Sequence, residues 1–97
     1  MLQQFGVARI DQQLVVVLTN TLFHEIDALL VAVIKPQNTQ ALLTAFHLPV
    51  RINEQAYFID LLDIATVSTK RLKTTDITLQ QYRQQIKAGL DLLIDGF

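Results

Sequence analysis

Few side chains in this sequence could do chemistry, and their spacing limits which chemistry that would be. The histidines are His24 and His47. Neither has a metal-ligand partner four residues on, and no HExxH pattern occurs, so a surface or loop imidazole is favoured over a zinc ligand. Glu25 and Asp27 flank Ile26, and Asp60 and Asp63 fall near a strand end. Paired carboxylates can move protons or hold a divalent cation, but solvated turn residues show the same pattern. Ser68 is the sole serine, has no GxSxG context and has no histidine close in sequence, which argues against a serine nucleophile. Gly6, Gly89 and Gly96 are the only glycines, so no phosphate-cradling loop exists. Lys70, Arg71 and Lys73 form a basic cluster between a strand and the last helix. They could meet phosphates or an acidic partner, or line a solvated loop. No cofactor and no metal are expected.

Two apolar features suggest binding rather than catalysis. Leu22 and Phe23 sit in a predicted loop between Thr21 and His24, where bulky apolar side chains either plug a core or form an exposed patch. The chain ends Leu92-Leu93-Ile94-Asp95-Gly96-Phe97, placing apolar groups where fraying and solvent usually prevail. Phe97 either folds back on the body of the protein or belongs to a docking surface.

The elements that must position these residues are predicted mostly as strands. Gln4–Ile10 and Leu14–Leu18 read as a hairpin around Asp11-Gln12-Gln13, the second strand dense in β-branched residues. Thr19–Asp27 reads as a loop, and Leu29–Ile34 as a strand stopped by Lys35-Pro36. Over 37–47 the spacing of Ala41, Leu42, Ala45 and Phe46 suggests a short helix or turn. Pro49 then opens a strand through Ile52, Asn53-Glu54-Gln55 make a hairpin turn, and strands follow over Ala56–Leu62 and Ile64–Leu72. Thr78-Leu79-Gln80-Gln81 has the form of a capping box, with Ile77 and Tyr82 placed as a hydrophobic staple. Leu79, Tyr82, Ile86, Leu90 and Leu93 mark one face of a helix that stops near Asp95-Gly96, Gly96 suiting a left-handed end. The expected fold is mainly β, a small SH3-like antiparallel barrel or sheet with a C-terminal α-helix.

Composition bounds the function. At 97 residues a single domain over 1–97 is expected. The chain is 51% hydrophobic and 18% charged, too apolar for disorder and rich for so small a body, which points to a homo-oligomer. A net charge of −1 disfavours a protein whose main task is gripping nucleic acid. The absence of cysteine removes disulfides and thiol chemistry and suits a reducing cytoplasm. The N-terminal residues lack a signal-peptide pattern, and no run approaches the roughly 18 apolar residues of a membrane helix. A cytoplasmic protein without membrane contact is therefore expected.

The order, spacing and length of these segments resemble the CcdB family of toxins. The likeness is densest from Ala65-Thr66-Val67 to Phe97, through Tyr82-Arg83, Ile86 and Leu90-Asp91 to the terminal Asp95-Gly96-Phe97. Val15–Leu18 with Thr19-Asn20-Thr21-Leu22-Phe23, Val33-Ile34-Lys35-Pro36 and Pro49-Val50-Arg51-Ile52 also fit. The resemblance implies a barrel related to SH3-like folds, a homodimer, and a toxin–antitoxin pair. It further implies a toxin that is no enzyme, that binds the DNA gyrase A subunit and traps gyrase on cleaved DNA, and that is released by a CcdA-like antitoxin with a disordered tail. Carried over, the gyrase-contact positions fall on Leu22, Phe23, Asp91, Ile94, Asp95, Gly96 and Phe97. Asp95 departs from the pattern, since the best-known toxin has there a tryptophan that stacks in the gyrase interface. A homologue that dimerises and binds antitoxin without poisoning gyrase is the alternative. An endoribonuclease of the MazF type, which shares the fold, is disfavoured by the net charge and the sparse acid–base groups.

Overall fold

The computed structural model describes residues 2–20, 27–38 and 44–96. Six strands and one helix follow in chain order: β1 Gly6–Ile10, β2 Gln13–Val17, β3 Ala28–Pro36, β4 His47–Ile52, β5 Gln55–Ser68, β6 Lys73–Thr78 and α1 Arg83–Asp95. All pairings are antiparallel, in the order β4-β5-β3-β2-β1-β6, and the sheet curls into a half-barrel. Among the described residues, no helix is long and apolar enough to cross a membrane.

The unbroken apolar run of β2 has a direct cause. Val16 faces one buried cluster while Val15 and Val17 face another. Both surfaces of the strand are covered, so the usual alternation of apolar and polar residues disappears. The first cluster lies under the C-terminal helix and joins Phe5, Val16, Ile34, Ile59, Leu61, Leu79 and Ile86. The second lies on the opposite face of the sheet and joins Ala8, Val15, Val17, Leu29, Val31 and Leu72.

Tight turns set the register. The β1–β2 pair closes at Ile10↔Gln13, with Asp11 in the left-handed region at φ 52. The β4–β5 pair closes at Ile52↔Gln55, with Asn53 and Glu54 both left-handed at φ 51 and 69. Two successive positive φ values match the twist of the flanking strands. Pro49 lies inside β4, which is tolerated because β4 is an edge strand with a neighbour on one side only.

Several predicted elements differ from those observed. The two strands expected either side of Asp63 are one strand, β5, carrying a bulge. Its register jumps from Ala32↔Ile64 to Val33↔Asp60, so Leu61, Leu62 and Asp63 stand outside the ladder. The bulge drives Leu61 inward to 1% exposure and leaves Leu62 at 57%. The chain then makes a 3-10 turn at Thr69–Arg71, capped by the Ser68 hydroxyl accepting from the Lys70 N–H, and enters β6. That last strand was not predicted, and it replaces the loop expected there. The capping box does not form, because Thr78 ends β6 and its Oγ1 accepts instead from the Gln80 N–H at 3.3 Å. Gln80–Tyr82 make a 3-10 turn before α1 begins. Of the short helix or turn expected over 37–47, residues 39–43 lie outside the described residues and Ala45 and Phe46 sit in a turn, while His47, expected before the strand, is the first residue of β4.

Candidate functional site

The C-terminal end of α1 is the first candidate. The helix is fastened at its start, where the Leu79 N–H donates to the Phe5 carbonyl and the Tyr82 hydroxyl accepts from the Arg51 N–H at 3.0 Å. Ile86 and Gly89 are buried, and Leu90 packs at the margin of the core. One turn further the support ends. Leu93 is 38% exposed and Ile94 77%. Gly96 closes the helix in the left-handed conformation at φ 77, donating to the Leu92 carbonyl at 2.8 Å.

Asp91, Ile94 and Asp95 are three and four residues apart, so they share one helix face. Asp91, Asp95 and Gly96 are exposed. Neither carboxylate forms an ion pair among the described residues, and the last turn holds no basic side chain. Negative charge at a helix C-terminus opposes the helix dipole and costs about 0.3–1 kcal/mol per residue. This end therefore combines an exposed branched apolar group with two carboxylates placed against local stability. Leu22, Phe23 and Phe97 lie outside the described residues.

A second cluster forms at the β5 bulge. Lys35 Nζ donates to Asp60 Oδ2 at 2.7 Å and lies 3.2 Å from Asp63 Oδ2. His47 Nε2 is 3.5 Å from Asp60 Oδ1, which also accepts from the Leu62 N–H at 3.0 Å. His47 Nδ1 takes the Thr44 N–H at 3.1 Å, and the ring stands edge-on to Phe58. Burial works to raise the Asp60 carboxyl, but the Lys35 and Leu62 hydrogen bonds, with the charges of Lys35 and His47, hold it below its ordinary value. The Asp60 hydrogen bond raises Lys35 against its own desolvation, with Asp63 assisting. Sequence spacing had paired Asp60 with Asp63 without finding Lys35, because the bulge that brings it in is a tertiary feature. The partners of Asp60 all lie within the protein and join β3, β4 and β5, so the cluster braces the bulge. Among the described residues, no group of three or more His, Cys, Asp or Glu could hold a metal ion.

The other sequence candidates divide likewise. Ser68 is a turn cap. The exposed Asp27 serves through its carbonyl, which accepts from the Thr69 N–H at 2.8 Å. His24 and Glu25 lie outside the described residues. Lys70, Arg71 and Lys73 are exposed, and Lys73 stands directly opposite Arg9 across β1 and β6.

Comparison with known families decides the broader identity. The family model described as CcdB protein matches residues 4–96 of the 97. The chain belongs to the CcdB family. The match runs from before β1 through the last residue of α1, so the sheet and the helix end are both family features. CcdB proteins are toxins of toxin–antitoxin systems and are not a known family of enzymes, so this CcdB-family chain is a toxin with a cognate antitoxin as partner. No curated protein matches the chain.

Proposed function

We propose that this toxin binds the DNA gyrase A subunit and traps gyrase on cleaved DNA, acting in the cytoplasm by binding and not as an enzyme. The observation that carries the reading is the end of α1. Ile94 is 77% exposed between Asp91 and Asp95, whose charges oppose the helix dipole and have no partner among the described residues. Local rules broken without compensation mark functional surfaces. Asp91, Ile94, Asp95 and Gly96 form the described part of the contact. Leu22, Phe23 and Phe97 complete it by resemblance to the family.

The toxin acts as a homodimer. Support comes from the 51% hydrophobic composition and from Leu30 and Leu62, exposed at 39% and 57%. Asp95 favours a second reading, a homologue that dimerises and binds antitoxin without poisoning gyrase, because a carboxylate cannot replace an aromatic anchor in an interface core.

A cleavage assay with gyrase, supercoiled DNA and ATP tests the choice, with the full chain beside a variant ending at Ile94. Linear DNA with the full chain alone supports poisoning through the helix end. Linear DNA with neither protein leaves the antitoxin-binding homologue as the account.

A further inference from the structure

The basic cluster acquires a different meaning once β6 is recognised. Lys73 opens that strand and pairs with Arg9 on β1, so two cations face each other directly across the ladder. Like charges in that position destabilise a sheet. Lys70 and Arg71 precede them in a turn held by the Ser68 cap, by the Thr69 N–H donating to the Asp27 carbonyl, and by Leu72, buried at 9%. All four cationic side chains are exposed, and none forms a hydrogen bond or ion pair among the described residues. Half of the eight Lys and Arg residues thus fall on β1, this turn and β6 without an ion pair among the described residues. Among the described residues, this corner lies on the terminal strand of the sheet, with β1 as its only strand neighbour.

We propose that this corner docks an extended acidic peptide, which adds to the sheet along the outer edge of β6 with its carboxylates at Arg9, Lys70, Arg71 and Lys73. With no strand on its outer side among the described residues, β6 offers the backbone hydrogen bonds that an extended chain reads, and the cations select its charge. Asp76 lies three residues along the same strand, so the acidic half of the peptide sits at the Lys73 end and a neutral half passes Asp76. A nucleic-acid backbone fits less well. Asp11 and Asp76 interrupt the cationic surface, and the whole chain carries a charge of −1. The described part of the gyrase contact, Asp91, Ile94, Asp95 and Gly96, lies at the far end of α1 from β6, about 20 Å away along the helix.

The test uses the full chain and a labelled peptide of about ten residues, alternating glutamate and valine in one half and threonine and valine in the other. A version with glutamine for glutamate and a duplex DNA oligonucleotide serve as competitors. The peptide is expected to bind, the glutamine version at least about tenfold more weakly, and the K70E/R71E variant likewise, with binding falling as salt rises. Amide exchange over Lys73–Thr78 slows on binding. Equal affinity for the glutamine version, an unchanged K70E/R71E variant that keeps the wild-type circular dichroism, or tighter binding of DNA than of the peptide would each overturn the proposal. Gyrase cleavage by K70E/R71E stays at the wild-type level, which separates this surface from the poisoning reading.

Discussion

The Leu61 side chain occupies the space into which a β-carbon at Gly89 would project. The bulge in β5 turns Leu61 inward, and the absence of a side chain at position 89 lets the helix settle on it. A glycine inside a helix ordinarily costs about 1 kcal/mol relative to alanine. G89A would recover that amount but force a methyl group into a filled site, and overpacking costs about 1–3 kcal/mol. Net destabilisation is expected by chemical denaturation. The double variant L61A/G89A should fall short of the sum of the single losses, because removing the leucine opens the room the methyl needs. Strict additivity would show that the two residues do not share the space.

The Lys35–Asp60 pair gives stability a defined pH dependence. Asp60 is held below its ordinary 3.8, so its contribution is complete above that pH and drains as pH falls through 3.8 towards the depressed folded value. Lys35 is held above 10.5, so its contribution is complete below 10.5 and is lost as pH rises beyond it. D60N should lose about 1–3 kcal/mol at neutral pH, the worth of hydrogen bonds to a charged group. Thermal melts of the two proteins should converge as pH falls below 3.8. Parallel Tm curves across the acid range would remove Asp60 from that role.

At the helix end, stability and toxicity should move in opposite directions. D95K replaces a charge that opposes the helix dipole with one that favours it, and a gain of about 0.3–1 kcal/mol is expected. The same change should abolish gyrase poisoning. I94A, at a position 77% exposed, should stay within about 0.5 kcal/mol of wild type while also losing activity. Retained DNA cleavage by both variants would move the contact elsewhere.

Glu54 holds the second left-handed position of the β4–β5 turn at φ 69, where glycine is the residue of choice. Its carbonyl, not its side chain, accepts from Arg51 Nη2 at 2.7 Å. E54G should therefore keep that bond, relieve roughly 1 kcal/mol of steric cost and raise Tm by a few degrees. A lowered Tm would mean that the Glu54 side chain contributes something its exposed position does not show.

Leu62 tests the proposed dimer. Exposed at 57% at the bulge, it supports neither buried cluster. L62D should leave the monomer fold intact by circular dichroism while shifting sedimentation from dimer to monomer. An unchanged dimer would place the interface on other residues.

The sequence by itself determined the elements whose pattern is local. The valine run predicted β2, Pro36 marked the end of β3, and the spacing of Leu79, Tyr82, Ile86 and Leu90 located the C-terminal helix with its left-handed Gly96. These follow from backbone sterics and periodicity, which act over a few residues. The helix-end residues Asp91, Ile94, Asp95 and Gly96 were singled out by resemblance alone, and the exposure of that end follows from the helix outrunning its core. Only the tertiary structure decided the rest. Asp63 looked like a break between strands because a polar residue in an apolar run is locally indistinguishable from a turn, whereas β3 pairing on both sides makes it a bulge. β6 was hidden because its Lys, Thr and Asp residues carry little apolar signal, and its partner β1 lies far back in the chain. Thr78 lost its predicted cap to that strand. Lys35 met Asp60, and Arg9 met Lys73, across strand registers set by long-range pairing and bulges, which local spacing does not encode.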